Sequence, residues 1–210
     1  MDYSSIGINK CYQINDFKIK TTIIKYLFTI DIKNLKEYDM DQIILKNKTK
    51  YKVSYLEEGN NYILFLKKLN NIYYTVLIKK NFNYDYNKIN FNNLEIFFLG
   101  ITYSELYYNG TIIEGRLDNK LEFNIYNILK LKGIDINNNL TDTENHIKNE
   151  IKDLSNKYFT LKLINYIKLE NIKYNDCIGL LFINIDTKVK YINLFKKKKM
   201  ILQKNMLFYI

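Results

Sequence analysis

The sequence of 210 residues contains no proline, alanine or tryptophan, one arginine, one histidine and only two cysteines. Cys11 and Cys177 lie far apart and in no metal-ligand spacing, so neither a disulfide framework nor a zinc site is predicted. We expect both to be buried thiols. Seven glycines and no proline leave few breaks between segments, which predicts one domain over residues 1–210.

Long hydrophobic runs are missing as well. Lys, Asp or Asn interrupts every apolar stretch before the roughly 18 residues that a membrane-spanning helix needs. Residues 1–16 mix acids, amides and lysine, and lack the apolar centre of a signal peptide. With 47% hydrophobic residues there is enough material for a buried core. We therefore expect a soluble protein with no membrane partner, located in the cytoplasm, or in a virion if the source is viral.

Asparagine, isoleucine, lysine and tyrosine are abundant instead. Residues with AT-rich codons are in excess, which indicates an AT-rich genome such as that of an insect poxvirus, another large DNA virus or a protist. The net charge of +10 favours an anionic partner such as RNA or DNA. Part of the lysine excess follows from codon usage, which weakens that inference.

Short runs rich in Tyr, Ile, Phe and Val between residues 50 and 129 are typical of strands. The runs 51–56, 62–67 and 73–78 predict an antiparallel meander with tight turns at 57–61 and 70–71. Further strands are predicted at 21–32, 94–99, 111–117, 121–129, 161–169 and 200–210, and a central strand at 178–185. Ile147, Ile151, Leu154 and Tyr158 recur at helical spacing after Thr141 or Thr143, which predicts a helix. The fold class is therefore α+β, with antiparallel sheets and a packed helix.

The segment VSYLEEGNNYILFL at 53–66 resembles the stretch around the catalytic lysine of mRNA capping-enzyme guanylyltransferases and DNA ligases. There a strand leads into Lys-x-Asp-Gly and a second strand leaves it. Glu58 and Gly59 take the places of the aspartate and glycine, and Leu56 falls where the lysine belongs. The resemblance implies a nucleotidyltransferase core, and it extends over about residues 45–210.

Later segments are similar to the family's other motifs in the same order. In GTIIEGRL, Glu114 and Arg116 match the first and last positions of Asp-Gly-Glu, and Tyr126 matches the aromatic residue that stacks on guanine. In IGLLF, Ile178 replaces the acid that precedes Gly179.

A basic run closes the resemblance. Lys197 and Lys199 match the paired lysines that contact the α-phosphate, and Lys188 and Lys190 are predicted to line the same channel. No counterpart of the family's C-terminal OB-fold lid is expected.

These replacements predict a protein without guanylyltransferase activity. The family's lysine attacks the α-phosphate of the nucleotide, and Leu56 has no nucleophile. Arg116 and Ile178 replace acids that hold a divalent metal, so neither a metal nor a cofactor is expected. The resemblance thus implies a non-catalytic component of a transcription and mRNA-capping apparatus. Its expected partners are RNA, a nucleotide, or a subunit of a capping enzyme or RNA polymerase. Two alternatives remain open: a structural or host-interaction protein without a nucleic-acid role, and an enzyme of different chemistry.

Overall fold

The computed structural model describes residues 11–30, 37–39, 50–56, 58–136, 140–167, 178–184 and 190–194. The contacts divide the chain into two compact units, one of Met1–Ile30 with Gly59–Ile164, the other of Asp31–Glu58 with Asn165–Ile210. The described part is α+β, with two helices and two mostly antiparallel sheets. That agrees with the predicted fold class, whereas the prediction of one domain stays a prediction.

The described residues form twelve strands and two α-helices. The elements are β1 (Cys11–Gln13), α1 (Phe17–Leu27), β2 (Glu37–Asp39), β3 (Tyr51–Leu56), β4 (Asn60–Leu69), β5 (Ile72–Lys79), β6 (Ile96–Leu99), β7 (Thr111–Leu117), β8 (Glu122–Leu131), β9 (Ile134–Asp135), α2 (Leu140–Leu154), β10 (Thr160–Leu163), β11 (Gly179–Asn184) and β12 (Lys190–Leu194). No helix in the described ranges is both long and apolar enough to cross a membrane.

The first unit contains the large sheet, in the order β1-β6-β5-β4-β7-β8-β10, with β9 paired to β8. All neighbouring strands are antiparallel except β8 and β10, which are parallel. The turn between β4 and β5 consists of Asn70 and Asn71, both at positive φ (49° and 63°). Asparagine tolerates this conformation, which matches the twist of a two-residue hairpin. The predicted tight turn at 70–71 is confirmed.

The strand predicted at 21–32 is wrong over its described part, because residues 17–27 form α1. Asp16 caps this helix by accepting from the Ile19 amide at 2.9 Å. The β-branched run Thr-Thr-Ile-Ile favours a strand locally. Burial at three- and four-residue spacing, by Lys20, Ile23, Ile24 and Leu27, favours the helix.

The two helices cover opposite faces of the large sheet. On one face, Tyr26 of α1 packs edge-on against Phe65 of β4, with ring centroids 5.7 Å apart. On the other face, Ile147 and Ile151 of α2 join the hydrophobic core that includes Leu64 and Leu66. Alternate residues of β4 therefore contribute to different layers, as the pleat of a strand requires. Cys11 is a buried thiol in this core, as predicted, whereas Cys177 lies outside the described residues.

A buried polar cluster anchors α2. Glu150 accepts from the Tyr107 hydroxyl at 2.6 Å and from the Lys132 ammonium at 2.7 Å. Burial and the neighbouring Glu150 carboxylate raise the pKa of Tyr107 above its usual range. The cluster fixes the helix to the loop before β7 and to the turn after β8.

The second unit contains the small sheet, in the order β2-β12-β11-β3. The predicted meander is wrong at its first step, because β3 pairs with β11 and not with β4. The central position of β11 confirms the interpretation of the apolar run at 178–185. Local sequence predicted the strands and the turn, but the partner of β3 lies more than 100 residues away.

Candidate polar site on the large sheet

A strip of polar side chains crosses β4, β7 and β8. The register pairs Asn61 with Arg116, Arg116 with Asn124, and Glu114 with Asn127. Residues paired directly across antiparallel strands point to the same face of a sheet. The strip shares its face with Phe65, and therefore with α1.

A β-bulge adds Tyr126 to this strip. Glu114 pairs with Asn127 and Gly115 pairs with Ile125, so that Tyr126 is the extra residue of β8. The Tyr126 hydroxyl accepts from the Lys80 ammonium at 3.2 Å, which places its side chain beside Glu114. Bulges commonly redirect a side chain in this way. Since Tyr126 is only 6% exposed, its predicted stacking on a base stays a prediction.

The centre of the site is a buried ion pair that sequence reasoning missed. Lys80 follows β5, and its amide donates to the Asn61 carbonyl at 2.9 Å. Its ammonium lies 2.8 Å from Glu114 Oε1, with the two side chains 2% and 0% exposed. Asn127 Nδ2 donates to Glu114 Oε2 at 2.5 Å. In the sequence Lys80 is one of many lysines, and no local signal distinguished it.

This arrangement gives Glu114 a structural role. A carboxylate removed from water is stable only when paired and hydrogen-bonded, and Lys80 and Asn127 supply both. The cluster therefore holds the middle of β7 to β8 and to the end of β5. No group of three or more His, Cys, Asp or Glu side chains suited to a metal ion occurs in the described part of the chain.

Arg116 ties the start of β4 to β7. Its Nη2 donates to the Gly59 carbonyl at 2.6 Å. Gly59 has φ of 139°, and a Cβ there would lie 2.4 Å from the Leu117 carbonyl oxygen. The glycine is required by this close backbone approach. Glu58, predicted as the degenerate aspartate of the first motif, is exposed.

The other described motif positions lie in the small sheet. Leu56 pairs with Gly179, and its carbonyl accepts from the Ile178 amide at 2.9 Å. Leu56 is 3% exposed. The structure therefore places two separately predicted motif positions next to each other. Lys190 is buried on β12 opposite Ile183.

Lys188, Lys197 and Lys199 lie outside the described residues. Compared with known proteins, the chain matches no protein-family model and no curated protein sequence.

Proposed function

We propose that this chain is a non-catalytic protein with a nucleotidyltransferase-like core. It binds RNA or a nucleotide as a component of a transcription and mRNA-capping apparatus. The observation that carries the proposal is the state of Glu114. At the place of a metal-binding acid, this carboxylate is bonded to the ammonium of Lys80 and the amide of Asn127. It acts as a counterion within the fold.

The position of Leu56 supports the same conclusion. It ends β3 beside Ile178, which is the arrangement expected if the first and fourth motifs of the family adjoin. A buried aliphatic side chain cannot attack a phosphate. The chain thus keeps the order of the motifs without the groups that perform the chemistry, and a domain of this kind is used for its surface.

The positive charge indicates what that surface binds. The chain carries 32 lysines and arginines against 22 acids. A lysine binds phosphate as a point charge and needs no metal ligand to do so. Lys197 and Lys199 are the proposed contacts, because they match the family's phosphate-binding pair.

The test is binding of fluorescent single-stranded RNA, measured by anisotropy over a series of salt concentrations. Affinity should fall with salt with a log-log slope of about −0.7 per phosphate neutralised. Changing Lys197 and Lys199 together to alanine should make the slope shallower by roughly one to two. The matched control changes Lys148 and Lys152, two exposed lysines of α2. This control should leave the slope unchanged.

Each alternative predicts a different result. A purely structural or host-interaction protein will not bind RNA at any salt concentration. An equal effect of the α2 pair and the motif pair would mean diffuse attraction with no site. Turnover of labelled GTP or ATP with a divalent metal would establish an enzyme of other chemistry.

A further inference from the structure

The outer face of α1 borders a groove of about 600 Å³. The described residues that line it include Phe17 and Tyr26 at its two ends, with Lys18 and Lys25 between them. These residues lie on the helix face opposite the buried one. With a rise of 1.5 Å per residue, Phe17 and Tyr26 are about 13 Å apart along the helix axis.

Both aromatic rings are held in place before any ligand binds. Phe17 is 61% exposed, yet its ring makes an edge-on contact with Phe91 at 5.3 Å. The Tyr26 ring contacts Phe65 at 5.7 Å, and the Lys67 ammonium lies 4.7 Å from its centroid. Rings fixed in this way lose little conformational entropy on binding.

Between the rings, the groove offers methyl groups in place of hydrogen-bond donors. The hydroxyl of Thr21 donates to the Phe17 carbonyl and that of Thr22 to the Lys18 carbonyl, both at 2.8 Å. The Thr29 hydroxyl donates to the Tyr26 carbonyl at 2.7 Å. These hydroxyls are used within the helix, so the lining suits the flat faces of bases or sugars more than their polar edges.

The charge of the groove complements a polyanion. Lys18 and Lys25 are both exposed and lie about 10 Å apart along the helix, at 1.5 Å per residue. None of the described lining residues is acidic. The nearest acid in sequence, Asp16, uses its carboxylate to cap the helix.

We propose that this groove is a binding site for single-stranded RNA, an inference that rests on the proposed function and adds a surface to it. Phe17 and Tyr26 stack on bases, and the two lysines contact phosphates between them. Stacking platforms combined with lysines are typical of proteins that bind single strands with little sequence preference. The site uses none of the residues that carry the motif resemblance.

The test measures binding of labelled single-stranded oligo(U) and oligo(A) RNA to the full chain. Phe17→Ala should weaken binding of both roughly 5- to 100-fold. Phe17→Leu, which keeps apolar bulk without a ring, should be equally weak, and Phe17→Tyr should bind like the wild type. Thermal denaturation checks that each variant is folded.

A second set of variants tests the phosphate contacts. Changing Lys18 and Lys25 together to alanine should make the salt slope shallower by about 1.4, for two phosphates. The control pair, Lys148 and Lys152, should have no effect. An RNA duplex should bind less well than the single strand, because its bases cannot stack on the rings.

The outcomes separate the groove from the proposed function. If Phe17→Leu binds like the wild type, or if duplex RNA binds as tightly as the single strand, the groove proposal is overturned. If only the change of Lys197 and Lys199 weakens binding, the groove proposal fails and the proposed function stands. If the wild type binds no RNA, both fail.

Discussion

Replacing Lys80 by methionine should destabilise the protein strongly. The change leaves the Glu114 carboxylate, which is 0% exposed, without the ammonium that lies 2.8 Å away. Removing one partner of a buried ion pair costs about 3–5 kcal/mol, because the remaining charge is uncompensated. At roughly 2–4 °C per kcal/mol for a chain of this length, Tm should fall by about 6–20 °C.

A second substitution should restore most of this loss. In the double variant with Lys80→Met and Glu114→Gln, no buried charge remains, and the new amide still accepts from Asn127. The double variant should therefore be at least about 2 kcal/mol more stable than Lys80→Met alone. A surface ion pair behaves differently, since breaking it costs only about 0–1 kcal/mol.

The assay is urea denaturation of the wild type, both single variants and the double variant, followed by circular dichroism. Midpoints and slopes are compared so that a change in stability is distinguished from a change in the unfolded state. A cost below about 1 kcal/mol for Lys80→Met would refute the buried ion pair. So would a double variant less stable than Lys80→Met.

Three further predictions concern the turn, the missing nucleophile and alkaline pH. Gly59→Ala should cost about 1–3 kcal/mol in urea denaturation, because φ is 139° and the new Cβ would meet the Leu117 carbonyl; a negligible cost contradicts this. Labelled GTP with Mg²⁺ should give no protein band on a denaturing gel, for the wild type or for Leu56→Lys. A labelled Leu56→Lys band would show that the motif assignment is wrong. Burial raises the pKa of Tyr103, so the folded state keeps a proton that the unfolded state releases near pH 10. Stability is therefore complete below about pH 10 and is lost as the pH rises further, and Tyr103→Phe should lose less of it; equal losses would contradict the assignment.

The local pattern was sufficient for most strands. The predicted ranges 51–56 and 111–117 coincide with β3 and β7, and the apolar run at 178–185 covers β11. The pattern failed for α1, where a β-branched run resembles a strand. Burial of one helix face against the large sheet outweighed that preference, as tertiary packing commonly outweighs propensity.

The candidate site was predictable only in part. Glu114 and Tyr126 were singled out from their place in the motifs, and the structure brings them together. Lys80 and Asn127 were missed, because their importance comes from the register of neighbouring strands. Nothing in the residues around Lys80 indicates that its side chain is buried.

The sequence by itself determined the fold class, the positions of most strands, the hairpin turn at 70–71 and the α2 helix. These depend on periodicity and turn chemistry within a few residues. Only the tertiary structure decided that β3 pairs with β11, that a bulge points Tyr126 toward Glu114, and that Lys80 neutralises that carboxylate. Each of these depends on contacts between residues distant in the chain. Such contacts form only where burial across the whole sheet compensates the entropy of closing long loops.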